Sequence, residues 1–138
     1  MRAHTPILGA TLLLLSGCDA WPTILDNRSS HPIYFHYHER SHERWSAEFG
    51  LNEGEAQTLA QEHWVQDITG LQIVEDGRRY RFDYAAMEPL RCACSSSLLS
   101  RRLKFTHDCY LIYEGGGHIS ASFAKPAGIK FHDFGNGS

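Results

Sequence analysis

Apolar and polar residues alternate along several short stretches of the chain. In one of them, Ile33, Phe35 and Tyr37 share one face, whereas His36 and His38 share the other. Successive side chains of a β-strand point to opposite faces, so this alternation predicts a strand with one buried face. We expect the strand to lie at the edge of a sheet, with its histidines facing solvent.

The same pattern predicts further strands and the turns between them. It recurs in the stretches 45–51, 68–74, 79–84, 103–113, 119–123 and 129–134. Asp76 and Gly77 supply the positive φ angles of a tight hairpin turn between two of these strands. The aromatic residues of the return strand are expected to face the core: Tyr80, Phe82 and Tyr84.

Two interpretations remain open for the residues 52–65. Residues 52–55 are typical of a turn, and 56–65 carry few apolar side chains at helical spacing, which favours a turn and a short strand. A helix of one or two turns near 56–65 is the alternative, because Asn52 and Glu55 resemble a capping box.

Seven or eight short strands, with turns at intervals of roughly 8–12 residues, are typical of an antiparallel sandwich. We therefore predict an all-β fold, a small antiparallel β-sandwich that is immunoglobulin-like or similar. The residues 85–100 are expected to form a long connection between strands. The chain has 138 residues, the length of one domain. Its formal net charge of −3 argues against nucleic-acid binding, because phosphate recognition needs a basic surface.

The N-terminal residues follow the order of a secretory signal. A short positive start precedes an apolar run from 7 to 15, which is too short to span a bilayer as a stable helix. The run ends in Leu15, Ser16, Gly17 and Cys18, so that small residues precede a thiol. This ending resembles the cleavage box of bacterial lipoproteins. A buried N-terminal helix with an incidental cysteine is the alternative.

The resemblance implies a location rather than an activity. It implies that residues 1–17 are a signal peptide that is removed, and that Cys18 carries a diacylglycerol and a further acyl chain, enough for stable anchoring. Residues 18–30 are then the lipidated cysteine and a tether, and residues 31–138 are a single β-sandwich domain. Asp19 favours the inner membrane with the domain facing the periplasm, and the outer membrane is the alternative.

Export would place the remaining cysteines in an oxidising compartment, where thiols tend to pair. Cys92 and Cys94 are too close in sequence to bridge each other comfortably. We therefore expect one of them to be bonded to Cys109, which would close a loop of about 15 residues and add roughly 3 kcal/mol to stability.

Two groups of residues offer an alternative role in binding zinc or copper. The first has three sulfurs and one imidazole, a reasonable tetrahedral set: Cys92, Cys94, His107 and Cys109. The second is a cluster of imidazoles on or beside one predicted strand: His36, His38 and His42. Under the main hypothesis the protein uses no cofactor.

The sequence offers no convincing catalytic group. The letters of a zinc-protease motif occur at 38–42, but that motif works only on a helix, and these residues continue a predicted strand. We therefore predict a non-catalytic binding or interaction module of the cell envelope. It would be held at the membrane by lipid and would contact another envelope protein. A metal-binding lipoprotein is the alternative.

Overall fold

The computed structural model describes residues 23–60, 67–94 and 108–132. They form two stacked sheets and one short helix, which confirms the prediction of a small all-β sandwich. The elements are β1 (Thr23–Asn27), β2 (Ile33–Glu39), β3 (Phe49–Leu51), β4 (Glu55–Ala60), β5 (Ile68–Glu75), β6 (Arg78–Phe82), α1 (Glu88–Ala93), β7 (Cys109–Gly115), β8 (His118–Ser122) and β9 (Lys130–Phe131). The signal peptide, Cys18 and His107 lie outside the described residues.

The two sheets differ in how their strands pair. The four-stranded sheet has the order β3-β2-β5-β6, and its neighbours are all antiparallel. The five-stranded sheet has the order β8-β7-β1-β4-β9, in which β1 and β7 are parallel, as are β4 and β9. The expectation of a purely antiparallel sandwich is therefore wrong for two pairings. Parallel neighbours need a long connection, and the chain between β1 and β7 supplies one by building the other sheet.

β1 is a central strand, which corrects the prediction of a tether that extends to residue 30. Its five residues are all buried. Leu25 faces the main core between the sheets, whereas Ile24 belongs to a second, smaller cluster. A strand that is buried on both faces shows no alternation of apolar and polar residues. In β1 the buried residues also include the polar Asp26 and Asn27, so the sequence shows no continuous apolar run.

The smaller cluster lies on the outer side of the five-stranded sheet. β8 and β9 occupy opposite edges of that sheet, so the segment 123–129 that joins them must cross one of its faces. Ile129 packs against the cluster, and Arg28 bonds both to Asp26 at 2.6 Å and to the carbonyl of Ala127 at 2.9 Å. The segment thus covers β1 from outside, and the pair formed with Asp26 holds it there.

The main core fills the space between the sheets. Its fully buried side chains come from both sheets and include Leu25, Ile33, Phe35, Leu71, Ile73, Leu111 and Tyr113. Burial of each large aliphatic or aromatic side chain contributes about 1.5–3 kcal/mol. The inward positions Ile33, Phe35 and Tyr37 are the ones that the alternation predicted.

Several predicted elements are confirmed. The hairpin between β5 and β6 turns at Asp76 and Gly77, whose φ angles are 50° and 75°. The second hairpin, between β7 and β8, turns through residues 115–117. Residues 55–60 are a strand and not a helix, and 61–65 lie outside the described residues.

Other predictions are wrong in detail. The stretch 45–48 is irregular, and only its continuation, β3, pairs as a strand. Tyr84 was expected in the core but is 50% exposed, because β6 ends at Phe82. The helix α1 was not expected within the connection after β6; Pro89 in its first turn is compatible with a helix start. Among the described residues, no helix is long and apolar enough to cross a membrane.

The sandwich has two ends, which we name by what closes them. The hairpin end contains the β1–β2 turn at 28–32 and the turns of the two hairpins. The disulfide end contains the starts of β1 and β7, the ends of β2, β4 and β6, and the bond between Cys94 and Cys109. The hydroxyl of Tyr37 donates to the carbonyl of Leu59, which aligns the two sheets at the disulfide end.

Candidate functional site

The loop 40–46 forms a cleft at the disulfide end. β2 ends at Glu39, and the Arg40 amide donates to the carbonyl of Asp67 at 2.7 Å. The chain returns at Ser46, whose amide donates to the Tyr37 carbonyl at 2.8 Å and whose hydroxyl accepts from the Tyr37 amide at 3.0 Å. The cleft has a volume of about 550 Å³ and is lined by Tyr37, Glu39, Ser41, His42, Glu43, Arg44, Trp45 and Ser46.

A carboxylate and an imidazole face each other in this cleft. His42 Nδ1 lies 3.2 Å from Glu39 Oε2, and the Glu39 side chain is only 11% exposed. Burial raises the pKa of the Tyr37 hydroxyl, and the charge of Glu39 raises it further. The phenol therefore stays protonated at neutral pH and remains a donor to Leu59.

The same loop does not form a hydrolytic triad. Ser41 Oγ lies 3.1 Å from His42 Nδ1, and Glu39 Oε2 approaches that same nitrogen. A triad needs the serine on one ring nitrogen and the carboxylate on the other, so that the imidazole can accept a proton while it is held in place. Because Ser41 and Glu39 both approach Nδ1 of His42, this nitrogen cannot accept a proton from the serine and also donate one to the carboxylate.

The side chain of Trp45 extends from the loop onto the outer face of the four-stranded sheet. Its ring centroid is 5.1 Å from that of His36 and 5.7 Å from that of His38, and the Arg81 guanidinium is 5.4 Å from it. A Cβ atom at Gly70 would lie 2.9 Å from the ring, so the indole occupies space that only glycine leaves open. We call these five residues the Trp45 face.

The histidines do share a face, as predicted, but they are engaged in other contacts. Trp45 packs against the rings of His36 and His38, and His38 Nδ1 lies 2.6 Å from Thr69 Oγ1. β2 is an internal strand, which corrects its assignment to a sheet edge. Across 23–60, 67–94 and 108–132, no group of three or more His, Cys, Asp or Glu side chains could hold a metal ion. Since 36–39 are strand, the zinc-protease motif also lacks its helix.

Cys94 and Cys109 form the disulfide, which is one of the two predicted pairings. The bond uses two of the four sulfur and nitrogen ligands proposed for a tetrahedral metal site, so that ligand set is not available while the bond is intact. Cys92 is exposed, and its Sγ lies 3.5 Å from Glu88 Oε1. That hydrogen bond and the negative charge of Glu88 raise the pKa of the thiol, which lowers its reactivity at neutral pH.

The hairpin end contains a buried polar network around Glu75. Its carboxylate accepts hydrogen bonds from the Tyr113 hydroxyl at 2.7 Å and the Gly116 amide at 2.9 Å, and His31 Nδ1 lies 3.2 Å away. Burial raises the pKa of Glu75, but these three contacts outweigh it, so the pKa falls below its usual value of 4.5. Burial, together with Glu75, raises the pKa of Tyr113.

Asn27 completes the closure of the hairpin end. Its side-chain amide donates to the carbonyls of His31, Leu51 and Asn52 at 2.9, 3.3 and 3.1 Å. Its Oδ1 accepts from the Ser29 hydroxyl at 2.6 Å and the Ser29 amide at 3.1 Å. One side chain thereby joins β1, the β1–β2 turn and the end of β3. Sequence reasoning missed it, since two of its partners, Leu51 and Asn52, are distant in the chain.

Comparison of the chain with protein families, with curated proteins and with solved structures finds no match. The cleft of loop 40–46 is the candidate site.

Proposed function

We propose that the protein is an exported, lipid-anchored, non-catalytic binding module of the cell envelope, with the cleft of loop 40–46 as its contact site. The observation that carries the proposal is the order of features in residues 1–18: a positive start, an apolar run, two small residues and Cys18. The bond between Cys94 and Cys109 suits an oxidising compartment outside the cytoplasm.

The geometry of the cleft favours binding over turnover. Glu39 and Ser41 meet one nitrogen of His42, an arrangement unsuited to proton relay. The cleft instead offers an indole, a guanidinium and a carboxylate around an open volume, which are groups that recognise amphipathic or charged ligands.

An intact mass of the protein extracted from membranes tests the anchoring. We expect a polypeptide that begins at Cys18 and carries the mass of a diacylglycerol and one further acyl chain. The Cys18→Ser variant, which lacks the thiol, should keep residues 1–17 and gain no lipid. Full-length, unacylated wild-type protein in the cytosol would contradict the proposal.

A further inference from the structure

The link between the proposed lipid and the fold is short. Only residues 19–22 separate Cys18 from Thr23, where β1 begins. Five Cα–Cα steps span at most about 18 Å when fully extended. Because β1 lies at the centre of a sheet, the start of this strand cannot move away from the rest of the sandwich.

β1 begins at the disulfide end, next to the cleft. The parallel register places Thr23 beside Cys109, and the antiparallel register places it beside Ala60. The hydrogen bond from Tyr37 to Leu59 places the end of β2, and therefore the loop 40–46, at the same end of the sandwich as the start of β1. Strands of five to eight residues, such as β1, β2 and β5, separate this end from the hairpin end by roughly 15–25 Å.

We infer that the disulfide end faces the bilayer and that the loop 40–46 contacts phospholipid headgroups of the leaflet that holds the lipid anchor. This inference rests on the proposed function, because it takes Cys18 to be acylated, and it names the partner of the cleft. The hairpin end points away from the membrane.

Side chains at the disulfide end suit an interface between lipid and water. Tyr84 is 50% exposed, and Arg40 Nη2 lies 3.4 Å from its hydroxyl. Trp45 is partly buried at the cleft, and Arg44 beside it is exposed. Tyrosine and tryptophan combine an apolar ring with a polar group, and such residues are enriched at the headgroup level, where arginine can pair with phosphate.

The described residues of this end carry no clear excess of positive charge. Among them, the exposed acidic residues Glu43, Asp83 and Glu88 lie near the exposed Arg40 and Arg44, so these charges nearly cancel. We therefore expect the contact to depend on the lipid anchor and the short link, and to be insensitive to salt and to the fraction of anionic lipid.

Quenching of two matched labels tests the inference. Ser41→Cys in the loop and Ser30→Cys in the β1–β2 turn both replace an exposed serine, one at each end. Each is made in a Cys92→Ser background, which removes the exposed thiol. The acylated proteins, which begin at Cys18, are labelled with a small fluorophore and placed in phosphatidylcholine vesicles that contain a lipid with a headgroup-linked quencher.

We expect several-fold stronger quenching at position 41 than at position 30. Vesicles with phosphatidylglycerol, or with added salt, should give the same ratio. An insertion of roughly 20 Gly and Ser residues between Asp19 and Ala20 should remove most of the difference, because the end is then no longer held near the bilayer.

The outcomes separate the two proposals. Equal quenching at both positions, or stronger quenching at position 30, in protein whose mass shows acylation and which floats with vesicles overturns the inference and leaves the anchoring intact. An unchanged difference after the insertion would contradict the role of the short link. Protein that carries no lipid and does not float overturns both.

Discussion

The two ends of the sandwich are closed by different chemistry. At the hairpin end, Asn27 and Glu75 join turns that are far apart in the chain through several buried hydrogen bonds. At the disulfide end, one covalent bond joins the end of α1 to β7, and the loop 40–46 encloses an open cleft. The two ends therefore differ in chemistry: dispersed hydrogen bonds close the hairpin end, whereas a covalent bond closes the disulfide end beside the cleft that we propose as the binding site.

The largest effect is expected from removal of the disulfide. Cys94→Ala with Cys109→Ala should lower the free energy of unfolding by about 3 kcal/mol, the value for a loop of 15 residues in the chain-entropy model. Urea unfolding measures the loss, with Cys92→Ser as the control outside the bond. Hydrogen exchange should show local opening near Cys109 in addition to the global loss, whereas the protection at Tyr113 should fall by no more than the global loss. An equal increase in local hydrogen exchange near Cys109 and at Tyr113 would contradict the view that the two ends are stabilised separately.

Asn27→Ala tests the opposite end. It removes the donor to three carbonyls and the acceptor of Ser29, and buried polar groups without partners are costly. We expect the free energy of unfolding to fall by about 2 kcal/mol. Ser30→Ala, at an exposed position in the turn that follows β1, should change it by less than about 0.5 kcal/mol. A similar effect of both variants would show that the network adds no stability.

The sequence predicted the elements that keep one face buried and one exposed. β2 and the β5–β6 hairpin alternate regularly, and Asp76 with Gly77 marks the turn. β1 escaped prediction because it is covered on both faces, and because Asn27 bonds to the carbonyls of Leu51 and Asn52, which no local pattern shows. Periodicity reports the burial of a face, so it fails where both faces are buried.

The Trp45 face could be predicted only in part. The spacing of His36 and His38 placed them on one face correctly, but nothing nearby in sequence shows that Trp45 would fold onto that face. The space for its ring comes from Gly70, on another strand. The loop is closed by bonds between Ser46 and Tyr37 and between Arg40 and Asp67, which depend on tertiary structure.

Gly70→Ala perturbs the Trp45 face and, through the Trp45 ring, one of the residues that line the cleft. The added methyl would lie 2.9 Å from the indole, so the ring must shift. We expect a loss of about 1–2 kcal/mol in the free energy of unfolding and a change in tryptophan fluorescence. Gly50→Ala is the control, since its methyl would meet Tyr34 at an ordinary 3.4 Å. In a Trp45→Ala background the cost of Gly70→Ala should largely disappear. A loss of unfolding free energy that persists in the Trp45→Ala background would show that the added methyl is strained by a group other than the indole.

The smallest effect at neutral pH, and the most specific one for the hairpin end, is expected from Glu75→Gln. The amide oxygen can still accept from Tyr113 and Gly116, so at pH 7 the variant should lose only the contribution of the charge itself. The folded protein lowers the pKa of Glu75 below 4.5, so the ionised form stabilises the fold. That contribution is fully present above pH 4.5 and is lost as the pH falls through the lower, folded-state pKa. Urea unfolding between pH 7 and pH 3 should therefore show a weaker loss of stability on acidification for Glu75→Gln than for the wild type.

Glu53→Gln, exposed at the same end, should follow the wild type. Parallel pH profiles for all three proteins would contradict a stabilising role for the Glu75 charge and would leave the neutral hydrogen bonds as the source of stability at this end.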